Sequence, residues 1–275
     1  MSLAAVSESL WVVWASFVRD RQTALSYRAG FLLSLVASVV NILGVYFLSR
    51  AIGSMGSGLI GQYGGSYFSF AVVGIAFTNF MALGLSAIAT RVREGQMMGT
   101  LELMLLSPNR LGLLLVSSAL WSHVVSLGSL LLYLVAGSVL GMHLEHANIP
   151  MALISLALAI ISFNALGLLA AAFVIVLKQG NPVNWLIATA SVLLSGVFYP
   201  TTVLPDWLRG LGQLLPLTHA LELMRRSILN GEGLATLWGP FLALLVLSVI
   251  LLPTGLYACR VAVRIAQTDG SLSQY

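Results

Sequence analysis

Six apolar runs organise the chain, at residues 29–50, 67–90, 111–142, 151–177, 183–204 and 237–259. Each reaches the roughly 20 apolar residues that a helix needs to cross a hydrocarbon core about 30 Å thick. The runs are continuous, whereas strands of a membrane barrel alternate apolar and polar positions over about ten residues, so the pattern predicts helices. The third run, over 111–142, would be ~48 Å long as a straight helix, so it is expected to tilt, kink or project. Ahead of the runs, residues 9–27 place Leu10, Trp11, Trp14, Phe17 and Val18 on one helical face, with Ser9, Ser16, Asp20 and Thr23 elsewhere. Tryptophans on an amphipathic helix ending in Arg19 and Arg21 suit the headgroup boundary. The stretch Leu10 to Val18 follows Glu8 rather than a basic region, and no small-residue cleavage site follows it, so it does not read as a signal peptide.

Composition agrees with the pattern. The 275 residues are 59% hydrophobic and 8% charged, with mean hydropathy +0.97, against about 25% charged residues in soluble domains. Such a chain has too little polar surface to cover a soluble globule. In lipid it can fold, provided its backbone groups bond internally. Low-complexity segments, linkers and repeats are absent, and residues 1–275 read as one membrane domain. Cys259 is the only cysteine, so no intrachain disulfide is possible.

The basic balance, +4 with pI about 9.5, sets topology rather than partner. No cluster of the kind that tracks phosphates exists, so nucleic acid is excluded. With a cytoplasmic N-terminus, nine Lys and Arg fall inside: Arg19, Arg21, Arg28, Arg91, Arg93, Arg110, Lys178, Arg260 and Arg264. Four fall outside: Arg50, Arg209, Arg225 and Arg226. Positive residues collect on the cytoplasmic side, so both termini are expected in the cytoplasm of a multi-pass protein of the cell's inner, or plasma, membrane.

Candidate chemistry within the spans is sparse. No Asp, Glu, Lys or Arg lies in the middle of any run, which disfavours an ion-coupled secondary transporter, because such proteins place carboxylates or broken helices at the midplane. Asn41, Asn79, His123 and Asn164 read as interhelical hydrogen-bonding residues. No P-loop is present: the one lysine, Lys178, follows Leu177 rather than glycine. Gly84-Leu85-Ser86-Ala87 with His123 echoes a serine-protease elbow only faintly. His143 and His146 around Glu145 lack further metal ligands nearby. A catalytic role is therefore not expected, and any pumping needs ATP hydrolysed by another chain.

Two segments fit no simple span. Residues 91–110 carry Glu94-Gly95, then Gly99-Thr100-Leu101-Glu102, then Ser107-Pro108. Gly99 and Thr100 can start a short helix with Thr100 as N-cap, Glu102 sits in its first turn, and Pro108 marks its exit. Such a helix fits either a partner's groove or the lipid surface. Residues 195–231 are apolar but broken by Pro200, Pro205 and Pro216, with Asp206 and Thr218 as candidate N-caps and Gly231 as candidate C-cap. Glu222 is at helical spacing to pair with Arg225 or Arg226. The pieces are too short to span and suit helices dipping into the outer leaflet where protein or water satisfies their ends.

At these two segments the chain resembles the permeases of ABC type-2 exporters, which move drugs, lipids or polysaccharides. Glu94-Gly95 through Gly99-Thr100-Leu101-Glu102 to Ser107-Pro108 is similar to that family's coupling-helix motif. Ser195-Gly196 through Pro200, Leu204-Pro205, the stretch Leu214 to Glu222 and Arg225 are similar to its second signature. The ending Asp269-Gly270-Ser271-Leu272-Ser273-Gln274-Tyr275 has the same likeness. The resemblance covers nearly the whole chain. It implies an all-α integral membrane fold: six transmembrane helices, an N-terminal interfacial helix, a cytoplasmic coupling helix, and a re-entrant segment before the last span. It also implies a second permease chain, identical or not, and cytoplasmic P-loop ATPase subunits that hold ATP and Mg, with no cofactor on this chain. Glu94, Gly99, Thr100, Leu101, Glu102 and Pro108 would couple to the ATPase. Pro200, Pro205, Pro216, Glu222 and Arg225 would form the outer gate. Unlike some permeases of that kind, the chain has no large external domain or long cytoplasmic insertion. Its uncharged spans and dispersed aromatics favour an amphipathic substrate, drug-like or lipid, with a polysaccharide or lipid-linked glycan as the alternative.

Overall fold

The computed structural model describes residues 3–26, 28–53, 58, 60–64, 66–99, 117, 119–177 and 182–268. These residues form α1 (Leu3–Ser26), α2 (Arg28–Ile52), a 3₁₀ turn (Gly61–Tyr63), α3 (Tyr67–Met97), α4 (Leu120–Val139), α5 (Ile149–Leu177) and α6 (Pro182–Leu194). A second 3₁₀ turn (Thr201–Val203), α7 (Asp206–Gly212), α8 (Pro216–Leu229) and α9 (Trp238–Thr268) complete them. Among the described residues, five helices are long and apolar enough to cross a membrane: α2 from Leu32, α3, α4, α5 and α9.

The fifth apolar run departs from its expected form. Its helix stops at Leu194, and 13 residues rise only about 20 Å, less than a hydrocarbon core. The break is local: Gly196 adopts φ +73°, a left-handed conformation that glycine takes without steric cost. A Cβ there would lie 2.9 Å from the Tyr199 carbonyl oxygen. Periodicity did not reveal this break, because the residues around it remain apolar. The third run is helical from Leu120, and its residues 111–116 lie outside the described ones.

The packing centre is α5, which runs between α3 and α9 and also meets α8. Small residues permit the close approach. A Cβ on Gly255 of α9 would lie 2.7 Å from the Ala165 carbonyl oxygen of α5, and one on Gly167 would lie 3.1 Å from that of Leu85 on α3. Backbone proximity of this kind drives helix association where water supplies no hydrophobic force. The mild polar residues tie the same helices. Ser162 meets Ser248 at 2.7 Å, Cys259 donates to the Leu168 carbonyl at 3.1 Å, and Asn79 donates to the Tyr133 hydroxyl at 3.0 Å. In contrast α2 and α4 leave apolar side chains such as Leu33, Val40, Leu131 and Val135 exposed, which lipid would solvate.

Candidate functional site

The proline-broken segment builds a compact structure around one arginine. Pro205 occupies the N-cap position of α7, with Asp206 in the first turn. Leu215 is the N-cap of α8, with Pro216 opening the helix, where its missing N–H is not needed. Asp206 and Thr218 are therefore not caps. The Thr218 hydroxyl instead donates to the Gly212 carbonyl at 2.5 Å, closing the corner between the two helices. The far end of α8 follows the sequence reading more closely: Asn230 is the C-cap, and Gly231 follows it at φ +70°. Pro200 is the N-cap of the Thr201–Val203 turn.

Arg225 lies on the buried face of α8, 2% exposed. Its Nε and Nη2 donate to the Phe70 carbonyl at 3.2 and 3.1 Å. Nη1 reaches the Gly196 carbonyl at 2.7 Å and Nη2 the Val197 carbonyl at 2.7 Å. The guanidinium also stacks 3.5 Å above the Phe70 ring, a favourable cation–π position. One side chain thus joins α8, the first turn of α3 and the break after α6. Gly74 makes room for it: a Cβ there would lie 2.4 Å from the Val197 carbonyl oxygen and 2.5 Å from Arg225 Nη2.

Glu222 does not pair with Arg225. It meets Arg226 at 3.5 Å and accepts from the Tyr63 hydroxyl at 2.5 Å. Burial pushes the Tyr63 phenol up, and the Glu222 charge and its hydrogen bond add to the shift, so Tyr63 holds its proton and donates. Arg226 makes its closest ion pair with Glu232, at 2.5 Å. That hydrogen bond holds the Glu232 carboxyl below its ordinary value and raises Arg226. The Tyr63, Gly74 and Glu232 roles were not read from the sequence. The face of Arg225 was legible, since Leu217, Leu221 and Ile228 fall on one side of α8 and Arg225 falls with them at spacings of four and three.

At the other end of α3, Glu94 pairs with Arg91 at 3.0 Å, and Arg91 reaches Asp20 of α1 at 2.7 Å. Gly99 does not begin a helix. It follows the Met98 C-cap of α3 with φ +67°, as a residue just past a helix end commonly does. Thr100, Leu101, Glu102 and Pro108 lie outside the described residues.

The remaining candidates resolve as packing. Ser86 donates to the Ala82 carbonyl within its own helix. His123 instead meets the Ala119 carbonyl through Nδ1 at 2.7 Å and Asn164 Nδ2 through Nε2 at 3.1 Å. With Nδ1 as donor, Nε2 is free to accept from the amide. No Ser–His pair forms, and no group of three or more potential metal ligands occurs among the described residues.

Long apolar helices packed on small residues, together with a short-helix segment pinned by a buried arginine, define a multi-pass all-α membrane protein. Residues 10–229 match the ABC-2 type transporter family. That match spans most of the chain, and the chain belongs to this family, whose membrane permeases are non-catalytic subunits of ABC transporters. No individual curated protein matches the chain.

Proposed function

We propose that the chain is the permease of an ABC exporter, paired with a second permease chain and driven by cytoplasmic P-loop ATPase subunits that bind ATP and Mg. It moves an amphipathic molecule, drug-like or lipid, out of the inner leaflet. Membership of the ABC-2 family carries this reading. Two features support it. The spans hold no ionisable residue at mid-depth apart from His123, whose ring is hydrogen-bonded on both sides. The segment around Arg225 is of the kind that closes the outer end of a path, with α7 and α8 dipping into the outer leaflet as a re-entrant pair and their ends bonded to protein. Pro200, Pro205 and Pro216 shape it, and Arg225 and Glu222 fix it.

The remaining assignments complete this reading. Both termini lie in the cytoplasm, α1 rests at the inner interface, and α6 with the turn after it completes the sixth crossing. Glu94, Gly99 and the stretch Thr100-Leu101-Glu102 to Pro108 couple to the ATPase. Substitution of exposed Glu145 and Gly58 by cysteine should permit labelling by an impermeant reagent from outside, and Met98→Cys should not. Reversed labelling would overturn the topology. The functional test is the complex in proteoliposomes. Amphipathic compounds should stimulate ATP hydrolysis and cross the bilayer, soluble glycans should do neither, and Glu102→Lys should lose transport while the protein still inserts. Failure to retain any ATPase subunit in mild detergent would remove the exporter reading, and stimulation by a lipid-linked glycan alone would move the substrate to that class.

A further inference from the structure

A cavity of about 260 Å³ lies between the Gly61–Tyr63 turn, the break after α6, α7 and α8. Its walls are polar to an unusual degree for this chain. Thr201, Thr202, Arg209, Gln213, His219 and Glu222 all line it, and Leu221 is its one large aliphatic side chain. The volume falls below the roughly 300–1,000 Å³ of drug-sized pockets, so the space suits one small polar group rather than a whole amphiphile.

Most of the charge around the cavity is already answered. Arg225 is bonded to three carbonyls. Arg209 meets Asp206 at 3.4 Å and the carbonyls of Thr202 and Leu204 through Nη2, which leaves its buried Nε without a partner. Glu222 accepts from Tyr63 and Arg226. A phosphate or other anion would find one free guanidinium N–H, on an arginine already paired with Asp206, and would face the Glu222 carboxylate, so its desolvation would be poorly compensated. The other unused groups are neutral. The side chains of Thr201, Thr202 and Gln213 bond to no other described residue. Ser195, on the inner wall, is 2% exposed, and its hydroxyl has no partner, an unusual state for a buried polar group. Hydroxyl and carboxamide groups together offer donors and acceptors in about equal measure.

We infer that this cavity is a binding site for an uncharged, hydroxyl-rich group about the size of one sugar ring, with Thr202 and Gln213 as its principal hydrogen-bonding residues. The inference rests on the exporter reading in one respect: it makes this group the polar head of the exported amphiphile, held at the outer segment while the tail remains in lipid. Binding itself requires no ATPase.

The test uses the purified full-length chain in lipid nanodiscs, with empty discs as the partition control. Labelled octyl glucoside, held below its micelle concentration, is compared with octylphosphocholine, which has the same tail and a charged head. Saturable binding of the glucoside, with no saturable binding of the phosphocholine, is expected. Thr202→Val and Gln213→Leu remove side-chain groups that make no bond within the fold, so each should weaken glucoside binding about five- to tenfold and leave the thermal midpoint unchanged. Displacement by methyl glucoside would support the site and put recognition in the ring alone. Failure of methyl glucoside to compete, with the octyl compound still saturable, would support the site and identify its source as a membrane lipid. Equal, non-saturable uptake of both octyl compounds, preference for the phosphocholine, or unchanged affinity in both variants would overturn the inference. Because no ATPase takes part, glucoside binding without ATPase association would leave the site standing while removing the exporter reading.

Discussion

Replacement of Arg225 by Met keeps much of the side-chain volume and removes every donor. The Phe70 carbonyl lies within α3 and keeps its place in the helical ladder, but the Gly196 and Val197 carbonyls belong to the irregular break after α6, where Arg225 supplies their short 2.7 Å bonds. A buried polar group left without its partner costs about 1–3 kcal/mol. Two such groups give a loss of ~2–6 kcal/mol, partly offset because a buried guanidinium is itself costly to desolvate. The loss should be local, since the guanidinium bonds to α3 and to the break. Hydrogen exchange of the variant in nanodiscs should show faster exchange across residues 195–229, with α5 and α9 unchanged. Gly74 provides an internal control. Gly74→Ala alone forces a methyl to 2.4 Å from the Val197 carbonyl oxygen and 2.5 Å from Arg225 Nη2 and should destabilise the same region. In the Arg225→Met background that penalty should shrink, because the displaced carbonyl no longer holds a bond, and contacting residues couple in this non-additive way. Unchanged exchange in Arg225→Met, or strictly additive effects of the two substitutions, would refute the assignment of Arg225 as the pin of this segment.

Glu232→Gln should lower stability at neutral pH and converge on the parent in acid, in thermal melts across pH: the Glu232 carboxyl is depressed below its ordinary value, so its contribution is present above the unfolded pKa and disappears as pH falls through the folded one. Asp20→Asn should loosen α1 from α3 by about 1 kcal/mol or less, given the partial exposure of the Asp20–Arg91 pair; a double-mutant cycle with Arg91→Gln measures it, and zero coupling would dismiss the link. Asn164→Leu should cost ~1–3 kcal/mol by stranding His123 Nε2, while the double variant with His123→Leu should cost less than the single, as measured by melting in detergent.

The long helices were legible because lipid enforces a simple rule: a spanning segment is apolar throughout and helical. That rule placed α2, α3, α5 and α9 within a few residues at their entry ends and missed only how far α3 and α9 continue beyond the apolar run, to Met97 and Thr268. It failed at residues 183–204 because it reads only polarity. Nothing in Ser195-Gly196-Val197-Phe198-Tyr199 is hydrophilic enough to end a span, and the helix ends through a glycine conformation and the bonds Arg225 makes to the freed carbonyls. The same limit left the partner of Glu222 open between Arg225 and Arg226. Spacing permits Arg225 and Arg226 equally, and the choice depends on which side of α8 faces the core. Long-range partners such as Tyr63 for Glu222 and Asp20 for Arg91 leave no local pattern.

Under the proposed role of this segment as an outer gate, Arg225 also bears on how it would stay closed and still move. A hydrophobic plug alone would gain little from closing in lipid, because tails solvate apolar surface as well as protein does. Carbonyls freed by a broken helix are different, since hydrocarbon cannot satisfy them. The Gly196 and Val197 carbonyls therefore need either Arg225 or water, and the polar cavity beside Arg225 is where water or a polar headgroup would reach this segment. Closure with the arginine in place and opening with solvent in its place satisfy the same groups, so the two states need differ by only a few kcal/mol. That balance depends on the break at Gly196 being permanent in the fold and on Gly74 leaving room for the guanidinium beside it. As the proposed gate, such a segment would respond to small displacements of α3, the helix whose opposite end carries Arg91, Glu94 and Gly99.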